Sequence, residues 1–316
     1  MLFQLRIKDQ KNKLNYSGIS KIEKLKLIIK KVKFVAKNAI YVKSWSNMNG
    51  NALYSSNKSK SNRIASRHFN IDFSNFSIRV IDDTHPLMEK VKLLRQKSFF
   101  EQSNDNEIDS DEFDQLCDHL VVVDRSISEN FVVGTYRLLL KPKYIKTQKF
   151  YSQSEFDISN LLHNQKSTLL EAGRSCVHKD YRDGRIIKLL WRGLATYIIN
   201  NQVDLIFGCA SFPSCNFKLF ENQLSYLFHY HRPPFLFDTS PIDNLRANFN
   251  IIKKALLNSE EEFRKLPPLI KAYIRVGAWV GTGAIVDSKF NTTDVLIILN
   301  SKKILKRYAQ LSFQKL

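Results

Sequence analysis

Long apolar runs are missing from this 316-residue chain. No stretch approaches the ~18 consecutive apolar residues that a membrane-crossing helix needs, and no leader-peptide pattern opens it. Cysteine is scarce: Cys117, Cys176, Cys209 and Cys215 lie in or beside apolar segments with no CxxC pair among them, so neither a zinc knuckle nor a disulfide framework is indicated. No Walker-type phosphate loop and no G-x-S-x-G elbow occurs, which argues against a P-loop NTPase and an α/β-hydrolase. Acid is scarce at one end. Residues 1–66 hold 15 Lys and Arg against only Asp9 and Glu23, so +13 of the formal +19 belongs to this region. What is present is 43% hydrophobic residues with only 10 Gly and 8 Pro, enough to fold around a substantial core. A cytoplasmic protein with anionic partners is expected: nucleic acid, acidic lipid headgroups or an acidic protein.

The chain divides by composition. Residues 21–42 (KIEKLKLIIKKVKFVAKNAIYV) space Ile22, Leu25, Ile28, Ile29, Val32, Val35 and Ala36 at helical intervals among lysines, which predicts a basic amphipathic helix. Such a helix can lie on an anionic membrane, with Phe34, Tyr41 and Trp45 as interfacial anchors, or pack its apolar face on the folded domain. Residues 46–66 are rich in Asn and Ser and read as a linker. We therefore expect a basic extension over 1–66 and one folded domain over 67–316. Because the positive excess sits mostly in the extension and no nucleic-acid module is recognisable, a nucleic-acid-binding protein is only an alternative reading and no nucleic acid is expected as a partner.

Within the domain, strands and helices alternate, which predicts an α/β fold with a central mixed sheet flanked by helices. Strands are expected at 75–82, 119–124, 131–140, 169–177, 203–212, 272–281 and 293–299, the second and third forming a hairpin. A helix is expected over 85–102, with Pro86 in its first turn and Leu87, Val91, Leu94 and Phe99 as its buried stripe. Residues 213–266 read as helical and basic, with a break at Pro233 and Pro234.

Charge appears where a core would not place it. Arg137 sits in the apolar strand GTYRLLL, and Glu171 and Arg174 sit in LLEAGRSCV. Such groups must pair, line a cleft, or both, since burying unpaired charge is costly. Positions 171 and 174 have opposite parity in a strand, so a bulge around Gly173 is needed to bring them to one side. Asp109, Asp111 and Asp114 form the one concentrated run of acid. It reads either as a solvated loop or as a rim that holds an ammonium group. After the 169–177 strand, Arg182, Asp183, Gly184, Arg185 and Ile186 form a charged turn that opens a helix, an anion-binding arrangement. Three other signals are set aside: His119 and Asp124 straddle a strand and point to opposite faces, His229 and His231 lack a third ligand, and Ser175 and Cys176 lack a nucleophile elbow.

The order Arg95 with Phe99, then Asp109-x-Asp111-x-x-Asp114, then Arg137, then Glu171-x-x-Arg174 resembles acyl-homoserine-lactone synthases, which have the GNAT acyltransferase fold. From about Arg95 to Tyr308 the chain is more similar to the ornithine-lipid N-acyltransferases. DEFDQLCDHLVVVD, VVGTYRLL, FYSQSEFD, GRSCVHKDYRDGRIIKLLWRGLA, FGCASF and RVGAWVGTGAIVDSKFNTTDVLIIL carry that similarity. The resemblance implies a GNAT-like domain that moves a 3-hydroxyacyl chain from acyl carrier protein to the α-amino group of ornithine, giving lyso-ornithine lipid. The alternative within the fold is a lactone synthase acting on S-adenosylmethionine. Under this reading Glu171 takes the amine proton, while Arg95, Asp109, Asp111, Asp114, Arg137 and Arg174 bind and organise the acceptor. Residues 182–186 receive the phosphopantetheine phosphate. Their spacing is shorter than the usual GNAT loop, which favours carrier protein over coenzyme A. No tightly bound cofactor and no metal is expected. Acyl carrier protein is the expected partner, with the inner face of a bacterial cytoplasmic membrane as a peripheral site.

Overall fold

The run Leu120–Val123 is uniformly buried, and the reason lies in the layers on both sides of it. Alternate residues of a strand face opposite ways. Leu120 and Val122 enter one hydrophobic cluster and Val121 and Val123 another, so both faces of this strand are covered. The computed structural model describes residues 68–100, 108–163 and 167–305. The amphipathic helix expected at 21–42 and the linker at 46–66 lie outside the described residues.

The strands are β1 (Asn70–Phe73), β2 (Phe76–Ile81), β3 (Asp118–Asp124), β4 (Val132–Lys141), β6 (Leu169–Val177), β7 (Leu205–Phe212), β9 (Trp279–Val280), β10 (Ile285–Asp287) and β11 (Thr292–Asn300). They form one sheet in the order β1-β2-β3-β4-β6-β7-β11-β10, with β9 also paired to β11. Two short strands, β5 (Phe156–Asp157) and β8 (Ser240–Pro241), pair separately. Every pairing is antiparallel except β6 with β7.

The helices are α1 (Met88–Phe99), α2 (Ser159–His163), α3 (Arg185–Asn200), α4 (Glu221–Tyr230), α5 (Ser259–Lys265) and α6 (Pro268–Arg275). Helix α3 buries Ile186, Leu190, Leu194 and Ile198 at four-residue intervals against Ile78, Leu120 and Val122. Each such side chain contributes about 1.5–3 kcal/mol. On the opposite face α1 packs Leu87, Val91 and Leu94 against Val121 and Val123.

The hairpin β3–β4 and the strand–turn–helix from Leu169 to Asn200 stand where the sequence placed them. Three expectations need correction. Helix α1 starts at Met88 with Leu87 at its N-cap, so Pro86 lies ahead of the first turn. Residues 268–275 are helical, and only Trp279–Val280 is strand in the expected strand 272–281. Ile270, Tyr273 and Ile274 are spaced for one helix face, Pro268 suits the first helical position, and Gly277 at φ +85° follows the last turn. Between α4 and α5 the backbone runs through short 3-10 turns and β8 instead of helix, because Pro233, Pro234 and Pro241 cannot donate to a helical ladder.

Strands β6 and β7 pair only over Leu169–Glu171 with Leu205–Phe207. Gly208 follows the last pair, and a Cβ there would stand 2.2 Å from the backbone oxygen of Ala172. A side chain at this point would force the two strands apart below the split. Gly208→Ala is therefore expected to lower unfolding free energy by about 1–3 kcal/mol in denaturant titrations, the range for overpacking a rigid site.

Candidate active site

Past Glu171 and Phe207 the strands separate, and the gap is the mouth of a cleft of about 690 Å³. Ala172 to Ser175 of β6 and Gly208 to Ser211 of β7 line its two sides. Phe99, Phe113, Leu139, Leu269 and Phe290 supply apolar walls.

The bulge needed in β6 is present, one residue later than expected. Thr135 pairs with Cys176 but Arg137 pairs with Gly173, so Tyr136 alone opposes Arg174 and Ser175. Arg174 takes φ +48°, a left-handed conformation uncommon for a residue with a side chain. Its consequence is that Glu171 and Arg174, of opposite parity, both line the cleft together with Arg137.

Behind that wall, three arginines and three aspartates interlock. Arg95 is fully buried; its Nε donates to Asp109 at 2.6 Å and its two terminal nitrogens donate to the two oxygens of Asp114 at 2.8 and 3.2 Å. Arg137 donates to Asp111 at 2.5 Å and to Asp114 at 3.2 Å. Arg174 donates to Asp111 at 3.2 Å and lies 3.4 Å from Asp109. Burial works against the Asp114 charge, but the hydrogen bonds and charge of Arg95 hold its carboxyl well below the usual carboxylate range. The same partners keep Arg95 charged in spite of its burial. Aromatic faces complete the packing: the Arg174 guanidinium stands 4.8 Å from the Tyr151 ring centre and 4.6 Å from that of Phe290. Arg95, Asp109, Asp111 and Asp114 are outside the cleft walls, whereas Arg137 and Arg174 belong to them.

Glu171 is held by the 3-10 turn Tyr151–Ser154. Its Oε1 accepts from the Ser152 N–H at 2.7 Å and the Ser152 hydroxyl at 2.5 Å, and its Oε2 accepts from the Tyr151 N–H at 2.9 Å. Burial nevertheless raises its pKa. The Arg182–Ile186 turn stands at the N-terminus of α3, apart from the cleft walls. There Gly184 adopts φ +93°, and Asp183 accepts from both the backbone N–H of Arg185 at 2.9 Å and its Nε at 2.7 Å. Arg182 donates to the Val177 carbonyl at 3.1 Å, and Ile186 is buried beneath the sheet.

The residues set aside have partners of other kinds. His119 Nε2 lies 3.2 Å from the Asp114 carbonyl, and Asp124 accepts from the hydroxyls of Ser126 and Tyr181. His229 meets the Ile252 carbonyl and His231 the Tyr226 hydroxyl.

Sequence reasoning missed Glu155, Asp287 and Asp294, all of which line the cleft. Burial, reinforced by the charges of Asp294 and Asp287, raises the Glu155 pKa to about 7. The Cys209 thiol donates to Glu155 at 2.9 Å and lies 3.6 Å from the Ser152 hydroxyl, which links Glu155 to Glu171. Burial and Glu155 push the Cys209 pKa well up, so the thiol stays protonated and is a poor nucleophile. Asp294 carried the same signal as Glu171, an acid in an apolar strand.

The sequence has known relatives. The GNAT acetyltransferase domain family matches residues 94–192, from α1 to the middle of α3. The L-ornithine Nα-acyltransferase of Agrobacterium fabrum is 40% identical over 204 residues, which span 63% of this chain and 70% of that protein. That of Rhizobium meliloti is 42% identical over 204 residues, with 63% and 69% covered. That of Rhodobacter capsulatus is 35% identical over 210 residues, with 66% and 80% covered. A solved CoA-dependent acyl-homoserine lactone synthase is 12% identical over 75% of this chain and 89% of its own at a TM-score of 0.40, a remote likeness.

Two outcomes are expected of the charged groups. Arg95→Met, which leaves Asp109 and Asp114 buried without that partner, should cost about 3–5 kcal/mol in urea unfolding. Glu155 has its pKa raised in the folded state, so its contribution to stability is full below its ordinary value of 4.5 and is lost as pH rises through about 7. Relative to wild type, Glu155→Gln should gain on the order of 3 kcal/mol between pH 4 and pH 8. Thermal melts across that range check this.

Proposed function

The chain belongs to the L-ornithine Nα-acyltransferase family, and from that premise we infer that it acylates the α-amino group of ornithine from a carrier-bound thioester. The observation that carries this reading is the split between β6 and β7, which opens a cleft with Arg174 and the buried carboxylate of Glu171 from β6, Arg137 from the neighbouring β4, and apolar side chains around them. The lactone-synthase alternative shares the order of charged residues but has only a remote structural likeness.

The donor enters as a phosphopantetheine thioester on acyl carrier protein. Its amide-bearing arm is suited to pair with strand backbone exposed where β6 and β7 part, while Arg182 and Arg185 at the start of α3 meet its phosphate. Acyl carrier proteins are acidic, and the +19 charge of this chain would steer their docking. The 3-hydroxyacyl chain lies along Phe113, Leu139 and Leu269. The acceptor carboxylate is held by Arg137 and Arg174, which the aspartates behind them keep in place.

Glu171 takes a proton from the α-ammonium, directly or through a water. The neutral nitrogen attacks the thioester carbonyl, forming the C–N bond; the carbon–sulfur bond breaks and pantetheine leaves as its thiol. No covalent enzyme intermediate is required. A raised pKa makes Glu171 a better proton acceptor than an ordinary carboxylate, and its Oε2 accepts from the Tyr151 N–H while the residue lines the cleft. The product is an amphiphile, and the amphipathic segment 21–42 would keep the enzyme on the cytoplasmic membrane surface. Among the described residues no helix is long and apolar enough to cross a membrane.

The reading is tested with purified full-length protein, 3-hydroxyacyl carrier protein and the corresponding coenzyme A thioester, with ornithine as acceptor and lyso-ornithine lipid followed by mass spectrometry. Transfer from the carrier protein is expected to exceed transfer from coenzyme A. Glu171→Gln should lower kcat by roughly 10²–10⁴-fold with little change in KM. Full activity in that variant would make Glu171 a brace for the Tyr151–Ser154 turn instead.

A further inference from the structure

Two groups of acids stand near this cleft, one behind its walls and one in them, and they are treated differently. Asp109, Asp111 and Asp114 each have arginine partners. Glu155, Asp287 and Asp294 line the cleft itself, and among the described residues none of them takes part in an ion pair. They come from separate elements: Glu155 precedes β5, Asp287 ends β10, and Asp294 lies within β11.

The strand register explains why they converge. Asp287 pairs with Thr292 and Ile285 with Asp294, so Asp287 and Asp294 project from one face of the β10–β11 hairpin. Asp294 also stands opposite Ser211 of β7, and two residues back along that strand Cys209 holds Glu155. The trio is continuous with Glu171 through Cys209 and Ser152.

Asp294 is 5% exposed, and its Oδ1 has no hydrogen-bond partner. A buried carboxylate oxygen left without a donor is costly, and this one belongs to a cleft wall. Burial raises the Asp294 pKa to about 6, with the charge of Asp287 adding to the rise and nearby hydroxyls and Arg174 opposing it. Two neighbouring cations do not neutralise the group. Arg174 pairs with Asp109 and Asp111, and the Lys289 ammonium stands 5.6 Å over the Phe290 ring without an ion pair to any of the three. Among the described residues no three acids, histidines or cysteines are placed to hold a metal ion. A single ammonium carries three donors on a rotatable stem and tolerates looser geometry than a metal does.

We propose that Glu155, Asp287 and Asp294 form the subsite for the side-chain ammonium of the acceptor and select a basic diamino acid over a neutral amino acid of the same length. The subsite deepens the function inferred above and rests on it for the identity of the acceptor. Asp287 and Asp294 lie beyond residues 94–192, the part shared with the wider GNAT domain family, as a specificity device for one acceptor should. The arginines then hold the acceptor carboxylate, Glu171 faces its α-amine, and the trio receives the far end.

The test compares ornithine with norvaline, which has the same carbon skeleton and no side-chain amine, by calorimetric titration and by kcat/KM with a carrier-bound donor. Wild type should favour ornithine by at least roughly tenfold, the size of effect expected when a charge-assisted contact is lost. Asp294→Asn should reduce that ratio by about tenfold, mainly through weaker ornithine binding, with norvaline changed less than about twofold. Asp287→Asn keeps an oxygen for the backbone N–H groups of Lys289 and Phe290, so it preserves the local turn and should shift the ratio the same way. A wild-type ratio near one, or a ratio unchanged in both variants, overturns the subsite. Selective ornithine binding lost in the variants, with no acyl transfer from any donor, supports the subsite and overturns the reaction instead.

Discussion

The fully buried guanidinium of Arg95 ties the site to the fold. It reaches from α1 to Asp109 and Asp114 and donates to both oxygens of Asp114. Asp114 in turn accepts from Arg137 on β4, and Asp109 and Asp111 meet Arg174 on β6. One helix, one loop and two strands are thereby locked by six groups whose charges cancel. Such a lattice adds little net stability over a well-packed apolar core, since desolvation offsets much of its attraction. Its value lies in geometry. Two of its arginines, 137 and 174, emerge on the cleft side already oriented by the acids behind them, so a bound anion need not organise them.

The cleft is a product of backbone irregularity. Parallel pairing between β6 and β7 stops after three residue pairs, and Gly208 permits the close approach at the point of separation. A bulge at Arg174 and Ser175 then rotates Arg174 toward the same side as Glu171. Each departure from regular strand costs free energy, and both occur where a thioester and an amine would meet. The sheet has a second irregularity, between Val122 and Val123 of β3, but the left-handed Arg174 and the split both border the cleft, where such backbone strain tends to be kept.

The cleft is electrostatically divided. Its wall of β4 and β6 presents guanidiniums backed by carboxylates, and the wall built by β10 and β11 presents carboxylates without cationic partners among the described residues. Between them Glu171, Ser152, Cys209 and Glu155 form a chain of short polar contacts. An amino acid with a carboxylate at one end and an ammonium at the other matches that polarity along the cleft.

Local pattern was sufficient for some of this. The 169–177 strand, the helix from Arg185 and the β3–β4 hairpin follow from apolar periodicity and turn chemistry, which act over a few residues. The oddity of Arg137, Glu171 and Arg174 in apolar strands was equally legible, because a charge in a buried strand demands a partner wherever it occurs. Residues 272–276 misled because AYIRV suits strand or helix, and packing of Ile270, Tyr273 and Ile274 on the sheet decided the matter. Which acid pairs with which arginine, and that Asp294 would join Glu155 from 139 positions away with neither in an ion pair, depends on strand order. The sequence by itself determined which residues carry charge into the interior. Only the tertiary structure decided which of those charges were neutralised and which were left facing the cleft, because pairing depends on distances between segments far apart along the chain.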